Sequence, residues 1–176
     1  HYRRGVTEGV QKDIVTVPLN NLSALREIVE AQPDRFAAIL IDLLPNRAGL
    51  ISVEREFVAL ARELATRFGI VLIIDEVISL RLGYGGLIGE YGIDPDLVTV
   101  GKIIGGGFPV GAIIGRESVM RELDVTSPTF LEHSGTFTAK PATPAGVTYS
   151  LLDLYLMGLA DPSEVPSTKV LEHAIP

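Results

Sequence analysis

Hydrophobic residues recur along this chain in two rhythms, short apolar runs and longer helical stripes. Behind Asn20 and Asn21, both good helix caps, Leu22, Leu25, Ile28 and Val29 fall at helical spacing. An amphipathic helix is predicted over 20–32, and Pro33 stops it. Residues 37–43 (AAILIDL) form an apolar run of strand length, closed by the loop chemistry of 45–49 (PNRAG). Over 51–68, Phe57, Val58, Leu60, Ala61, Leu64, Ala65 and Phe68 share one face, while Glu54, Arg55, Arg62, Glu63 and Arg67 fill the other. That is a second helix, ended by Gly69. The run 70–74 (IVLII) follows at once as a fully apolar strand terminated by Asp75 and Glu76. Further strands are predicted over 97–100, ending at Gly101 and Lys102, and over 110–114, after the glycine run Gly105 to Gly107. A short helix over 116–123 and a loop over 124–130 follow. Pro141 and Pro144 suit the first turn of a helix over 141–157 carrying Ala145, Tyr149, Leu152 and Tyr155.

A strand, a crossover helix and a second apolar strand make a βαβ unit with parallel strands. The expected fold is therefore α/β, a mostly parallel sheet with helices on both faces. The 176 residues, 47% hydrophobic and 21% charged, suit one compact domain. Its expected extent is 1–157, with 158–176 a poorly ordered tail or linker because turn residues replace periodicity there.

Composition removes several function classes. No cysteine is present, so disulfides, thiolate metal sites and thiol nucleophiles drop out together. The net charge of -7, with Lys and Arg scattered, offers no footprint for nucleic acid. No apolar run is long enough for a membrane helix, and the basic first residues lead into no secretory signal, so a soluble cytoplasmic protein is expected. His1, His133 and His173 lie too far apart to place two metal ligands on one helix face, and no metal site is expected.

The chemistry gathers at strand ends. In open α/β sheets ligands bind beyond the carboxyl ends of the strands, and Asp75 and Lys102 both fall there, about one crossover apart. A partly desolvated lysine amine can condense with an aldehyde. An aspartate facing a pyridine nitrogen keeps it protonated, which turns the ring into an electron sink. Gly101-Lys102 does not fit a nucleotide phosphate loop, because Asp96 and Ile103 stand where that loop needs Gly and Ser or Thr.

The segments IDEV (74–77), GKIIGGGFPVGA (101–112) and HSGTFT (133–138), in that order, resemble the core of class III pyridoxal-phosphate-dependent aminotransferases, most of all the glutamate-1-semialdehyde aminomutase-like branch. The resemblance covers roughly residues 35–150. It implies the large domain of fold type I pyridoxal phosphate enzymes, here incomplete, since neither the upstream phosphate loop nor the small domain is recognisable. It further implies Lys102 as the Schiff-base lysine and proton shuttle, Asp75 as partner of the pyridine nitrogen, Val77 packed on the ring, and Thr136 at the cofactor phosphate. In the family that threonine crosses a dimer interface, which implies a homodimer with shared active sites. The implied reaction is amino transfer between an amine or amino acid and a keto acid or aldehyde. The chain departs from the pattern at residues 42–46 (DLLPN), where the family shows a Glu-Pro pair, at Lys140, where Asn usually precedes the proline, and at Pro144.

Three other readings stand beside transamination. An aminomutase would use the same core chemistry, and a cofactor-binding remnant would hold pyridoxal phosphate without turnover. A serine hydrolase could pair His133 with Ser134 or Ser79, although no GxSxG elbow is present.

Overall fold

The computed structural model describes residues 5–124, 126–128 and 130. The helix expected over 141–157 and the tail over 158–176 lie outside them. The element order is α1 (Glu8–Asp13), α2 (Leu22–Ala31), β1 (Ala38–Asp42), α3 (Arg55–Phe68), β2 (Val71–Asp75), α4 (Gly86–Tyr91), β3 (Leu97–Gly101), β4 (Gly111–Gly115) and α5 (Glu117–Met120), with short 3-10 turns between them. The strands form one sheet in the order β1-β2-β3-β4. β1, β2 and β3 run parallel and β4 antiparallel to β3. The reversal follows from chain length, because residues 102–110 cannot make the crossover that a parallel strand requires. The architecture is the mostly parallel α/β sheet expected from the sequence.

Strand alternation sends Ile39 and Ile41 of β1, and Leu72 and Ile74 of β2, to one face, where they join Leu25 and Val29 of α2 and the apolar stripe of α3 in a single core. The same alternation puts Leu40, 63% exposed, on the other face together with Asp42 and Asp75. Helix α2 is capped as its sequence predicts, Asn21 Oδ1 accepting from Ala24 N–H at 2.9 Å. Helix α3 begins four residues later than its apolar stripe suggests. Residues 51–54 are pulled out of helical geometry because Val53 N–H donates to Leu43 O at 3.0 Å, and Glu54 N–H to Asn20 Oδ1 at 2.9 Å. Among the described residues no helix is long and apolar enough to cross a membrane.

Two elements escaped the hydrophobic pattern, α1 and α4. The second matters for the site. Its six residues, GLIGEY, are too short and glycine-rich to persist alone. The helix is held from outside: Glu76 Oε1 accepts from Leu87 N–H at 2.6 Å and Ile88 N–H at 3.0 Å, and Tyr91 donates its hydroxyl to Val53 O at 2.8 Å. Arg55 lies over the Tyr91 ring at 4.6 Å and hydrogen-bonds Glu90 O.

Asp96 ties the strand starts together. Its Oδ2 accepts from Leu72 N–H at 2.7 Å and from Arg62 at 2.8 Å, and its Oδ1 faces Arg116 at 3.2 Å. Burial pushes this carboxyl up, but the Leu72 hydrogen bond and the two arginines outweigh it and hold it below its ordinary value of 3.8. A carboxyl lowered by folding contributes stability that is complete above its unfolded value and is lost as pH falls through its folded one. Asp96→Asn should therefore cost about 2 kcal/mol at neutral pH, with the deficit shrinking as pH drops below 3.8. Denaturant titrations at pH 7 and pH 3 check this, and an equal deficit at both would contradict it.

Candidate functional site

Three strands end side by side and each delivers a charged residue. Asp42 closes β1, Asp75 closes β2, and the two are direct register partners. Thr99 of β3 continues that row opposite Asp75, and Lys102 follows the end of β3 immediately. Both aspartates are pinned the same way, Asp42 Oδ1 by Leu44 N–H and Asp75 Oδ1 by Val77 N–H, each at 2.9 Å. These two-residue side-chain turns fix the carboxylates where the chain leaves the sheet. The remaining oxygen of Asp75 has no hydrogen-bond partner among the described residues.

Lys102 is exposed and sits at φ 48, a left-handed conformation that costs a residue with a Cβ about 1 kcal/mol. It opens the 3-10 turn Lys102–Gly105, which is trapped between β3 and β4 by the Gly101 to Gly111 pairing. The turn ends at Gly106 (φ 53) and Gly107 (φ 106), where glycine is needed for the backbone to reverse. Strain held by surrounding structure in this way clusters at ligand sites.

A cavity of about 390 Å³ opens beside this turn, lined by Val77, Ile78, Arg81, Lys102, Ile103, Gly106 and Gly107. That volume is in the range of small-ligand pockets. Val77 and Lys102 thus line one cavity. Asp75 does not line it, but stands at the neighbouring strand end. Thr136, His133 and Ser134 lie outside the described residues, as do Lys140 and Pro144. Ser79 is buried and its hydroxyl donates to Glu76 Oε1 at 3.2 Å, so that oxygen is committed to the fold.

Three cavity residues were not among the site residues expected from the sequence: Ile78, Arg81 and Ile103. All three owe their places to 3-10 turns that carry no hydrophobic rhythm. Arg81 makes no hydrogen bond or ion pair among the described residues. Glu76 was also missed. It is wholly buried, yet its strand phase gives it away, since the alternation Leu72, Ile74, Glu76 points into the core. Its Oε2 is buried with no hydrogen-bond partner among the described residues.

The residues fit pyridoxal phosphate in kind. An exposed lysine amine, an aspartate with a free oxygen at the adjacent strand end, a β-branched side chain on the cavity wall and two glycines allowing close approach match an aldehyde-bearing pyridine ring.

Residues 6–156 match the family description Aminotransferase class-III. A glutamate-1-semialdehyde 2,1-aminomutase from Ignicoccus hospitalis is 37% identical over 96% of this chain, which spans 40% of that relative. The crystal structure of an omega-transaminase from Sphaerobacter thermophilus superposes with a TM-score of 0.75 at 41% identity, covering 90% of this chain and 34% of the other. A transaminase with PLP bound gives 0.73 at 36% identity, covering 78% of this chain and 32% of the other. The chain therefore spans about a third to two fifths of the length of these proteins. With its α/β sheet, its strand-end lysine and this match over most of its length, the chain belongs to the class-III aminotransferases.

Proposed function

We propose that this chain forms the cofactor-carrying part of an enzyme that moves an amino group from an amine or amino acid to a keto acid or aldehyde, with pyridoxal phosphate held on Lys102. The observation that carries the reading is Lys102 itself, exposed on strained backbone in one cavity with Val77, beside the strand end of Asp75. Bound there, the cofactor supplies an electron sink for the carbanion formed at the substrate carbon. The chain's own groups do the rest. Asp75, with one oxygen unpartnered among the described residues, would hold the proton on the pyridine nitrogen, and Val77 would pack on the ring. Lys102 Nζ would hold the cofactor aldehyde until the substrate amine displaces it, and the amine so freed would be placed to carry a proton away from the substrate α-carbon. Thr136 contacts the phosphate from a second copy, so the working unit is a cytoplasmic homodimer. Neither nucleic acid nor a membrane takes part.

An aminomutase is the second reading, favoured by the relative from Ignicoccus hospitalis. The two differ in where the acceptor carbonyl resides, on a separate molecule or on the substrate itself. Product formed without any added acceptor would select the aminomutase, whereas strict dependence on a second carbonyl compound would select the transaminase.

The deciding experiment treats the full chain with pyridoxal phosphate, reduces it with borohydride and maps the modified peptide. A yellow complex and a single adduct at Lys102 are expected, and absence of an adduct there would sink the proposal. Cofactor uptake without turnover would instead identify a remnant.

A further inference from the structure

Asp42 is an acid that the proposed reaction does not use, yet it stands beside Asp75 with its side chain on the same sheet face. The two carboxylates are held in place by matching backbone hydrogen bonds, so neither can swing away without giving one up. The charged groups acting on Asp42 among the described residues are Asp75, which repels it, and Lys102, which attracts it. At Asp42 the repulsion from Asp75 outweighs the attraction of Lys102, so the charged carboxylate carries net repulsion there. Such an arrangement disfavours the empty fold and favours a second cation at the strand ends.

We infer that Asp42 is a positioning residue of the site, pairing with Asp75 to make a two-carboxylate seat for one protonated ring nitrogen. The inference rests on the functional reading above and adds a residue to it. Asp75 makes the contact, and Asp42 supplies the second negative charge that retains the proton. The side chain's own state agrees: burial pushes the Asp42 carboxyl up, Asp75 pushes the same way, and the Leu44 hydrogen bond and Lys102 only partly offset them.

A raised carboxyl contributes stability that is complete below its unfolded value and is lost as pH rises through its folded one. Charged Asp42 therefore costs the empty protein stability at neutral pH. Asp42→Asn keeps an oxygen for Leu44 N–H while removing the charge, and should melt higher than wild type at pH 7 but not near pH 3.

Binding to the full chain is the decisive measurement, using pyridoxal phosphate and its 1-deaza analogue, in which CH replaces the ring nitrogen. Both present the same aldehyde and phosphate, and only one can carry the ring proton. Asp42→Asn should weaken pyridoxal phosphate about tenfold and the analogue less than about twofold, and Asp42→Glu should restore much of the loss. Equal factors for the two ligands, or no change in either, would overturn the inference while leaving the functional reading intact. Failure of the wild-type chain to take up pyridoxal phosphate would overturn both.

Discussion

If the chain works as proposed, Lys102→Ala should abolish amino transfer, with kcat/KM falling on the order of 10³-fold or more. The size of the effect would come from two proposed roles lost together, attachment of the cofactor and movement of the α-carbon proton. Lys102→Arg separates charge from nucleophilicity. A guanidinium keeps the positive charge but stays protonated and cannot condense with an aldehyde, so it should be as inactive as alanine. The fold should survive both changes within about 0.5 kcal/mol, because the side chain is exposed and every L residue at φ 48 bears the same backbone cost. A small primary amine in solution should restore part of the rate in Lys102→Ala, since the truncated side chain leaves room beside Val77 and Ile103. Turnover by Lys102→Ala near the wild-type rate, with no added amine, would remove Lys102 from the mechanism.

Asp75 and Lys102 were legible because they close apolar runs, and a polar residue ending a buried strand must fall at the mouth of the sheet. The strands and α3 were legible for a related reason: Leu72, Ile74 and the stripe from Phe57 to Ala65 each follow one period without interruption. Where two structural demands compete, one sequence signal misleads. The stripe over 51–68 reads as helix from its first residue, yet Val53 is claimed by the exit of β1 through Leu43. The hydrophobic pattern gives no element over 78–96, although Glu76 and Tyr91 impose a helix on part of that stretch. Ile78 and Arg81 could not be placed at the cavity from spacing, because their position depends on the 3-10 turn Ser79–Leu82 and on the buried acid that ties it down. Asp42 was visible only as a departure from a family pattern. Its relation to Asp75 comes from parallel register, which no local signal encodes.

Gly86→Ala should be among the most damaging small changes in the described fold. A Cβ at this position would lie 1.9 Å from Glu76 Oε2 and 2.8 Å from Glu76 Cδ, on backbone at φ +66. A glutamate tip can usually rotate aside, but this one cannot. Its other oxygen accepts from Leu87 N–H, Ile88 N–H and Ser79 Oγ, and the whole side chain is buried. Retreat would break hydrogen bonds that hold α4 and the turn bearing Ile78 and Arg81. The expected loss is about 4 kcal/mol, a large share of the stability of a domain this size. Glu76→Ala alone should cost about 3 kcal/mol, through lost hydrogen bonds and a cavity. The two changes should not add. With Glu76 truncated, Gly86→Ala meets no carboxylate and retains only the left-handed backbone cost, about 1 to 2 kcal/mol. A double-mutant cycle by denaturant titration reads this directly. Strict additivity would mean that Gly86 is required for its backbone alone, and that the buried acid does not wedge against it.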